Sequence, residues 1–236
     1  MPRTVLVTGG NRGLGLEFVR QCSERGDRVL AACRHPDEAD ELQSLAGQGG
    51  REVSVLRLDV GEEASIIAAA KQASEQLGEQ PLDVLINNAG IYGGESQAFP
   101  HIDADVAADV YRVNVIGPML MFREFDALLA DEARVVSISS GYGSIERSGG
   151  GWPVHYCCSK SALNMLSAIV GQAMAAETPG RCVVAMNPGW VQTDMGGANA
   201  TLTPEQSIAG MLRTIEQLTP AHTGTFWSYE GERMPW

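Results

Sequence analysis

Tyr156 and Lys160 stand four residues apart in the stretch Tyr156-Cys157-Cys158-Ser159-Lys160. On a helix that spacing puts both side chains on one face, one turn apart. A free phenol titrates at about 10, so at neutral pH it is a poor proton donor or base. A positive charge about 4 Å away, at an effective dielectric of about 20, favours the ionised phenol by roughly 4 kcal/mol. The pair therefore reads as a general acid or base tuned by its neighbour. The plainer reading is two residues on a solvated helix face. Lysine is scarce here, with only Lys71 and Lys160 in the chain.

A tuned tyrosine needs a scaffold and a reaction partner, and the start of the chain supplies a pattern for both. Thr4-Val5-Leu6-Val7 reads as a buried parallel strand, followed by Thr8-Gly9-Gly10-Asn11-Arg12-Gly13-Leu14-Gly15. A helix pattern follows, with Leu14, Phe18, Val19 and Cys22 on one face. Strand, glycine turn and helix together predict a dinucleotide site rather than an ordinary βα turn. The glycines let backbone amides approach a pyrophosphate, and the helix N-terminus favours its charge. The second strand, Arg28–Cys33, ends at Arg34, where an NAD-preferring site would carry an Asp or Glu. A guanidinium there, with Arg12 as a second cation, suits a 2′-phosphate. NADP(H) is the expected cofactor.

Further strands are read over Val53–Val60, Leu82–Ile86, Arg134–Ser140, Cys182–Met186 and Thr225–Tyr229. Helices are read over Glu62–Leu77, Asp103–Ala130, from Tyr156 to about Glu177, and from the capping box Thr203-Pro204-Glu205-Gln206 to about Leu218. Asn114, inside the long helical stretch, is locally unfavourable. It is either a satisfied buried amide or a kink that presents a carbonyl to a water. The alternation predicts an α/β fold: a doubly wound, Rossmann-type parallel sheet of about seven strands with helices on both faces, forming one three-layer domain over residues 1–236. Thr8 to Gly15, Arg34, Asp59, Asn87, Ser140 and Pro188 all follow strand ends, where ligands of such sheets bind. The residues from Gly231 to Trp236 are either exposed loop or a docking tail.

The net charge of −12 argues against nucleic-acid partners, and no apolar run reaches the length of a membrane span. The start of the chain has no signal-peptide pattern, which suggests the cytoplasm. The five cysteines lack metal-ligand spacing and read as reduced thiols; no metal is expected.

Over essentially its full length the chain resembles the short-chain dehydrogenase/reductase family. The resemblance rests on Thr8-Gly9-x-x-x-Gly13-x-Gly15, Asn87-Asn88-Ala89-Gly90, Tyr156-x-x-x-Lys160 and Pro188-Gly189, in that order. Three stretches, Ser159–Asn164, Pro188–Met195 and Glu232–Trp236, are similar to C-factor and sniffer-type carbonyl reductases. The resemblance implies Tyr156 as general acid/base, with Lys160 lowering its pKa and binding nicotinamide ribose hydroxyls. It implies Ser140 as the substrate hydrogen-bond donor and Asn114 as holder of a relay water. Cofactor contacts are implied for Gly9, Asn11, Arg12, Gly13, Leu14, Gly15, Arg34, Asp59, Val60, Asn87, Ala89, Gly90, Pro188, Gly189, Val191 and Thr193, besides Tyr156 and Lys160. Ser140 lies sixteen residues before Tyr156, farther than the family's habit, and Gly149–Gly151 takes up the extra length. Ser139 is the alternative serine.

The implied activity is NADPH-dependent reduction of a small carbonyl substrate, a ketone, aldehyde or quinone. The rival is a nucleotide-binding, C-factor-like signalling protein with little turnover. A 3-oxoacyl thioester reductase fits less well with so acidic a chain. Tyr142, Trp152, Trp190 and Met195 either line an apolar pocket or simply pack. Family habit suggests a homodimer through the Tyr156 helix.

Overall fold

The computed structural model describes residues 2–94 and 98–236. Its sheet has seven strands: β1 (Thr4–Thr8), β2 (Arg28–Cys33), β3 (Val53–Arg57), β4 (Leu82–Asn87), β5 (Leu129–Ile138), β6 (Cys182–Asn187) and β7 (Thr225–Ser228). They lie in the order β3-β2-β1-β4-β5-β6-β7, and every neighbouring pair is parallel. The order reverses between β1 and β4, and the crevice at the carboxyl ends of these two strands is where such a sheet takes a ligand.

The helices are α1 (Gly13–Glu24), α2 (Asp40–Ala46), α3 (Glu63–Leu77), α4 (Ala104–Tyr111), α5 (Gly117–Phe125), α6 (Val154–Glu177) and α7 (Pro204–Gln217). The central strands β1, β2, β4 and β6 are largely apolar on both faces because both are covered. Against one face, Leu6, Leu85, Val135 and Val183 meet Ile66 and Ala73 of α3, Met121 and Phe125 of α5, and Leu163 of α6. Against the other, Val5, Val7, Ile86 and Val184 meet Phe18 and Cys22 of α1, Leu42 of α2, and Ile208 and Met211 of α7. Burying a Phe or Leu side chain fully is worth about 1.5–3 kcal/mol, so these two layers dominate the stability.

The expected single helix over Asp103–Ala130 is divided. Asp103 caps α4, its carboxylate accepting from the amides of Asp105 and Val106. One π-helical turn, Arg112–Ile116, then separates α4 from α5, and β5 already begins at Leu129. The π turn is a single turn with helical residues on either side, so a pattern reading runs the two helices together.

The segment after β7 is the docking tail of the two alternatives. Met234 is buried with Ala185 and Phe226, and its amide donates to the Phe226 carbonyl at 2.8 Å.

Candidate active site

The strand ends frame a cleft of about 1190 Å³. Gly9, Asn11, Arg12, Gly13, Leu14 and Gly15 line one side, and Ser140, Tyr156 and Lys160 line another. Arg34, Asp59, Val60, Ala89, Gly90, Pro188, Gly189, Val191 and Thr193 line it as well. Two of the expected residues, Asn87 and Asn114, do not.

The glycine turn is built for a close backbone approach. Gly9 and Gly13 have φ of +68° and +51°, a region other residues rarely enter. A Cβ on Gly15 would lie 2.0 Å from the Gly9 carbonyl oxygen, so the turn cannot carry a side chain there. No side chain caps the start of α1. Its first-turn amides are therefore open to an anion in the cleft. Asn88 ties the turn to β4: its side-chain amide donates to the Thr8 carbonyl at 2.9 Å, while Thr8 Oγ1 accepts from the amides of Asn88 and Ala89 at 3.0 Å.

Asn88 does this, and Asn87 does not. Side chains alternate along a strand, so of two consecutive asparagines only one can face the crevice. Asn87 points into the core beside its register partner Ser137, and the two side chains find no hydrogen-bond partner among the described residues. At the end of β4 it is Asn88, and not the expected Asn87, that lines the cleft.

Ser139 and Ser140 both border the cleft, and they differ in what holds them. Ser139 is buried and donates to Asn164 Oδ1 at 2.6 Å. Ser140 starts the short 3-10 turn Gly141–Gly143, accepts from the Tyr142 amide at 3.2 Å, and lines the cleft beside Tyr156. The long glycine-bearing interval has not displaced it, because the extra residues loop out beyond Ser144.

Tyr156 and Lys160 lie on the inner face of α6, 8 % and 4 % exposed. The Lys160 ammonium donates to the Ile138 carbonyl at 2.8 Å and stands 5.6 Å from the Tyr156 ring centroid. The electrostatics differ from the sequence expectation. Burial pushes the phenol above its ordinary value, outweighing the nearby Ser140 side chain, which acts to lower it. Burial also pulls Lys160 down to about 8. A sequence reading counts the neighbouring charge but not the desolvation of both groups. Burial also holds the Cys157 thiol up at about 11, so it stays protonated at neutral pH.

Asn114 sits in the π turn, fully buried. Its amide forms a two-point clamp on Ile91, Nδ2 donating to the carbonyl at 2.9 Å and Oδ1 accepting from the amide at 2.8 Å. A further bond runs from Nδ2 to Ser159 Oγ at 3.0 Å. Both sequence readings hold in part: the side chain is satisfied, and the helix is distorted around it. The clamp fixes the loop that follows β4. A Cβ on Gly90 there would lie 3.2 Å from Asn114 Oδ1 and 3.5 Å from Lys160 Nζ.

An aromatic wall encloses Tyr156. Tyr92 packs on it with ring centroids 5.1 Å apart, and Tyr142 meets it edge-on at 6.5 Å. Trp152 packs behind Tyr142 at 4.5 Å, while Trp190 and Met195 line the cleft. Tyr92 has no signal in the sequence, because it lies in irregular chain beyond a strand. At the other end, Arg12 is paired with Asp194 at 3.0 Å, and Arg34 lines the cleft together with His35 and Glu41. Among the described residues, no three His, Cys, Asp or Glu residues are placed to hold a metal, and all five cysteines are free.

The family model for short chain dehydrogenases matches residues 3–202. The NADPH-bound carbonyl reductase from chicken fatty liver superimposes with a TM-score of 0.92 at 37% identity, covering 100% of this chain and 99% of that one. The carbonyl reductase Sniffer of Drosophila melanogaster gives 0.92 at 27% identity, with 100% of both chains covered. C-signal of Myxococcus xanthus is 39% identical over 158 residues, which are 66% of this chain and 93% of that protein. The family match takes in the glycine turn, the π turn, α6 and the Pro188-Gly189 turn alike, and the protein belongs to the short-chain dehydrogenase/reductase family of oxidoreductases.

Proposed function

We propose that this chain is an NADPH-dependent carbonyl reductase, converting a small ketone, aldehyde or quinone to its alcohol. The observation that carries the reading is that Ser140, Tyr156 and Lys160 line the same cleft as the glycine turn, with Tyr156 and Lys160 buried. The turn suits the pyrophosphate of a dinucleotide: its amides are open and its glycines admit close approach.

When bound, NADPH supplies a hydride to the carbonyl carbon. Ser140 and Tyr156 donate hydrogen bonds to the carbonyl oxygen, where negative charge develops. Tyr156 then gives its proton to that oxygen, completing the alcohol. Lys160, when charged, stabilises the phenolate left behind and reaches the nicotinamide ribose. The Asn114 side chain is fully engaged with Ile91 and Ser159, so its part in returning a proton runs through the main-chain carbonyl of the π turn. Asn11, Leu14, Asp59, Val60, Ala89, Gly90, Pro188, Gly189, Val191 and Thr193 flank the rest of the cofactor.

Arg34 and Arg12 favour a 2′-phosphate, while Glu41 opposes it. A preference for NADPH over NADH follows, weaker than two arginines alone would give. The whole chain works as one catalytic unit, in the cytoplasm, without nucleic acid or membrane. Ile116, Met119, Met165 and Ile169 are exposed on the π turn, α5 and α6, and they support a homodimer through that face. Sedimentation of the purified protein tests the pairing, and a monomer at micromolar concentration removes it. A signalling role without turnover is less favoured, because a nucleotide-binding protein has no need of Ser140, Tyr156 and Lys160 gathered in one cleft.

The test follows NADPH oxidation by absorbance against quinones, aldehydes, diketones and acyl thioesters, with NADH alongside. Turnover on small carbonyls with NADPH, and less with NADH, is expected. Tight NADPH binding with no turnover across the panel would overturn the reading.

A further inference from the structure

Tyr142, which lines the cleft, and Trp152, which packs behind it, bracket the segment that leads into α6. That segment, residues 140–153, contains Gly141, Gly143, Gly149, Gly150 and Gly151, so little in its own chemistry fixes its shape. Its first residues are held from the core. The Gly141 amide donates to Asn187 Oδ1 at 3.0 Å. The Gly143 carbonyl accepts from Ser161 Oγ at 3.0 Å and from Asn164 Nδ2 at 3.1 Å.

The middle of the segment is held from elsewhere. The Glu146 amide donates to the Trp236 carbonyl at 3.0 Å, and Ser144 Oγ donates to the same oxygen at 3.2 Å. Ser144 Oγ in turn accepts from the Arg147 amide at 3.4 Å. Trp236 is fixed to the sheet, its indole stacked on Phe226 of β7 at 5.8 Å and 11°. Buried Met234, two residues earlier, anchors the same stretch. A continuous chain of contacts thus runs from the edge strand through Trp236 to the loop whose two ends carry Tyr142 and Trp152, and from Tyr142 to the ring of Tyr156.

We propose that Trp236 is a positioning residue for the substrate wall: its stack on Phe226 holds the carbonyl that fixes Ser144 and Glu146, and thereby sets Trp152 behind Tyr142, the ring that lines the cleft. The proposal rests on the reductase reading. It also separates the two halves of the cleft: among the described residues, no hydrogen bond or ring contact joins this stretch to the glycine turn or Arg34. Trp236 governs recognition of the carbonyl compound and leaves the cofactor alone.

Trp236→Ala keeps the carbonyl but loses the stack, Trp236→Phe keeps a stacking ring, and Ser144→Ala removes one of the two donors. In Trp236→Ala, KM for the carbonyl substrate rises roughly five- to tenfold, with kcat and the Kd for NADPH within about twofold of the parent. Trp236→Phe restores KM to within about twofold, and Ser144→Ala falls between. Hydrogen exchange, read without any substrate, speeds up over residues 141–153 in Trp236→Ala and is unchanged over β1, β4 and β5. Unchanged KM and unchanged exchange in Trp236→Ala would overturn the proposal. So would a parallel loss of KM, NADPH affinity and protection throughout the sheet, which marks general destabilisation. A parent protein without carbonyl turnover overturns the reductase reading instead, and exchange over residues 141–153 then decides alone whether Trp236 holds the wall.

Discussion

Tyr156→Phe lowers carbonyl reduction by roughly a hundred- to ten-thousandfold, the range of a lost general acid, and leaves the Kd for NADPH within about twofold. The substitution removes one oxygen from a fully packed position, and the ring keeps its contacts with Tyr92 and Tyr142. No other hydroxyl takes over. Ser140 lacks the acidity to give up a proton, and the Tyr92 phenol is itself pushed up by burial. The same shift on Tyr156 fixes the pH dependence. The phenol is protonated through the neutral range, so reduction holds level there, whereas oxidation of the alcohol needs the phenolate and climbs as pH rises. Steady-state rates in both directions, with NADPH binding by fluorescence, read all of this. Turnover near the parent rate in Tyr156→Phe would mean that the proton comes from elsewhere.

Lys160→Met makes the protein more stable while abolishing most of its turnover. The ammonium is 4 % exposed, and burial pulls its pKa from 10.5 to about 8. Below about pH 8 the lysine is charged both folded and unfolded, and the full desolvation penalty opposes folding. As pH rises from about 8 towards 10.5, the folded protein releases the proton first, so stability increases across that window. The penalty is about 3 kcal/mol. Methionine fills a similar volume without charge, and losing the bond to the Ile138 carbonyl gives back about 1 kcal/mol. The net gain is about 2 kcal/mol at pH 7 and shrinks towards pH 10. Urea denaturation at the two pH values measures it, and a variant less stable than the parent at pH 7 would contradict the assignment. That a chain so sparing with lysine keeps one where it opposes folding is itself an argument for chemistry at this position.

Much of the molecule is legible in the sequence, for physical reasons that can be named. Apolar runs bounded by glycine and polar residues mark the strands, because a parallel sheet covered on both faces has no polar side to confuse the pattern. The helix bearing Tyr156 is Val154–Glu177, with its end read at Glu177. What escapes is whatever depends on distances between elements. Choosing Asn88 over Asn87 requires the exact phase of β4. The role of Tyr92 requires the path of irregular chain. The titration of Tyr156 requires burial, which a count of neighbouring charges omits. The pairing of Arg12 with Asp194 joins residues far apart in sequence.

The π turn at Arg112–Ile116 acts as a phase shifter between two helices. Each residue advances a helix by about 100°, so one extra residue re-aims everything that follows. Here it lets α5 present Met121, Phe122 and Phe125 to the core while Ile116 and Met119 look outward. Deleting a single residue in this turn would rotate those two sets past each other and withdraw Asn114 from Ile91 in the same stroke. The packing of α5 and the geometry at Asn114 are thereby set together, and a one-residue insertion or deletion here disturbs both. The length of the stretch from α4 to α5 is thus a constraint separate from its composition.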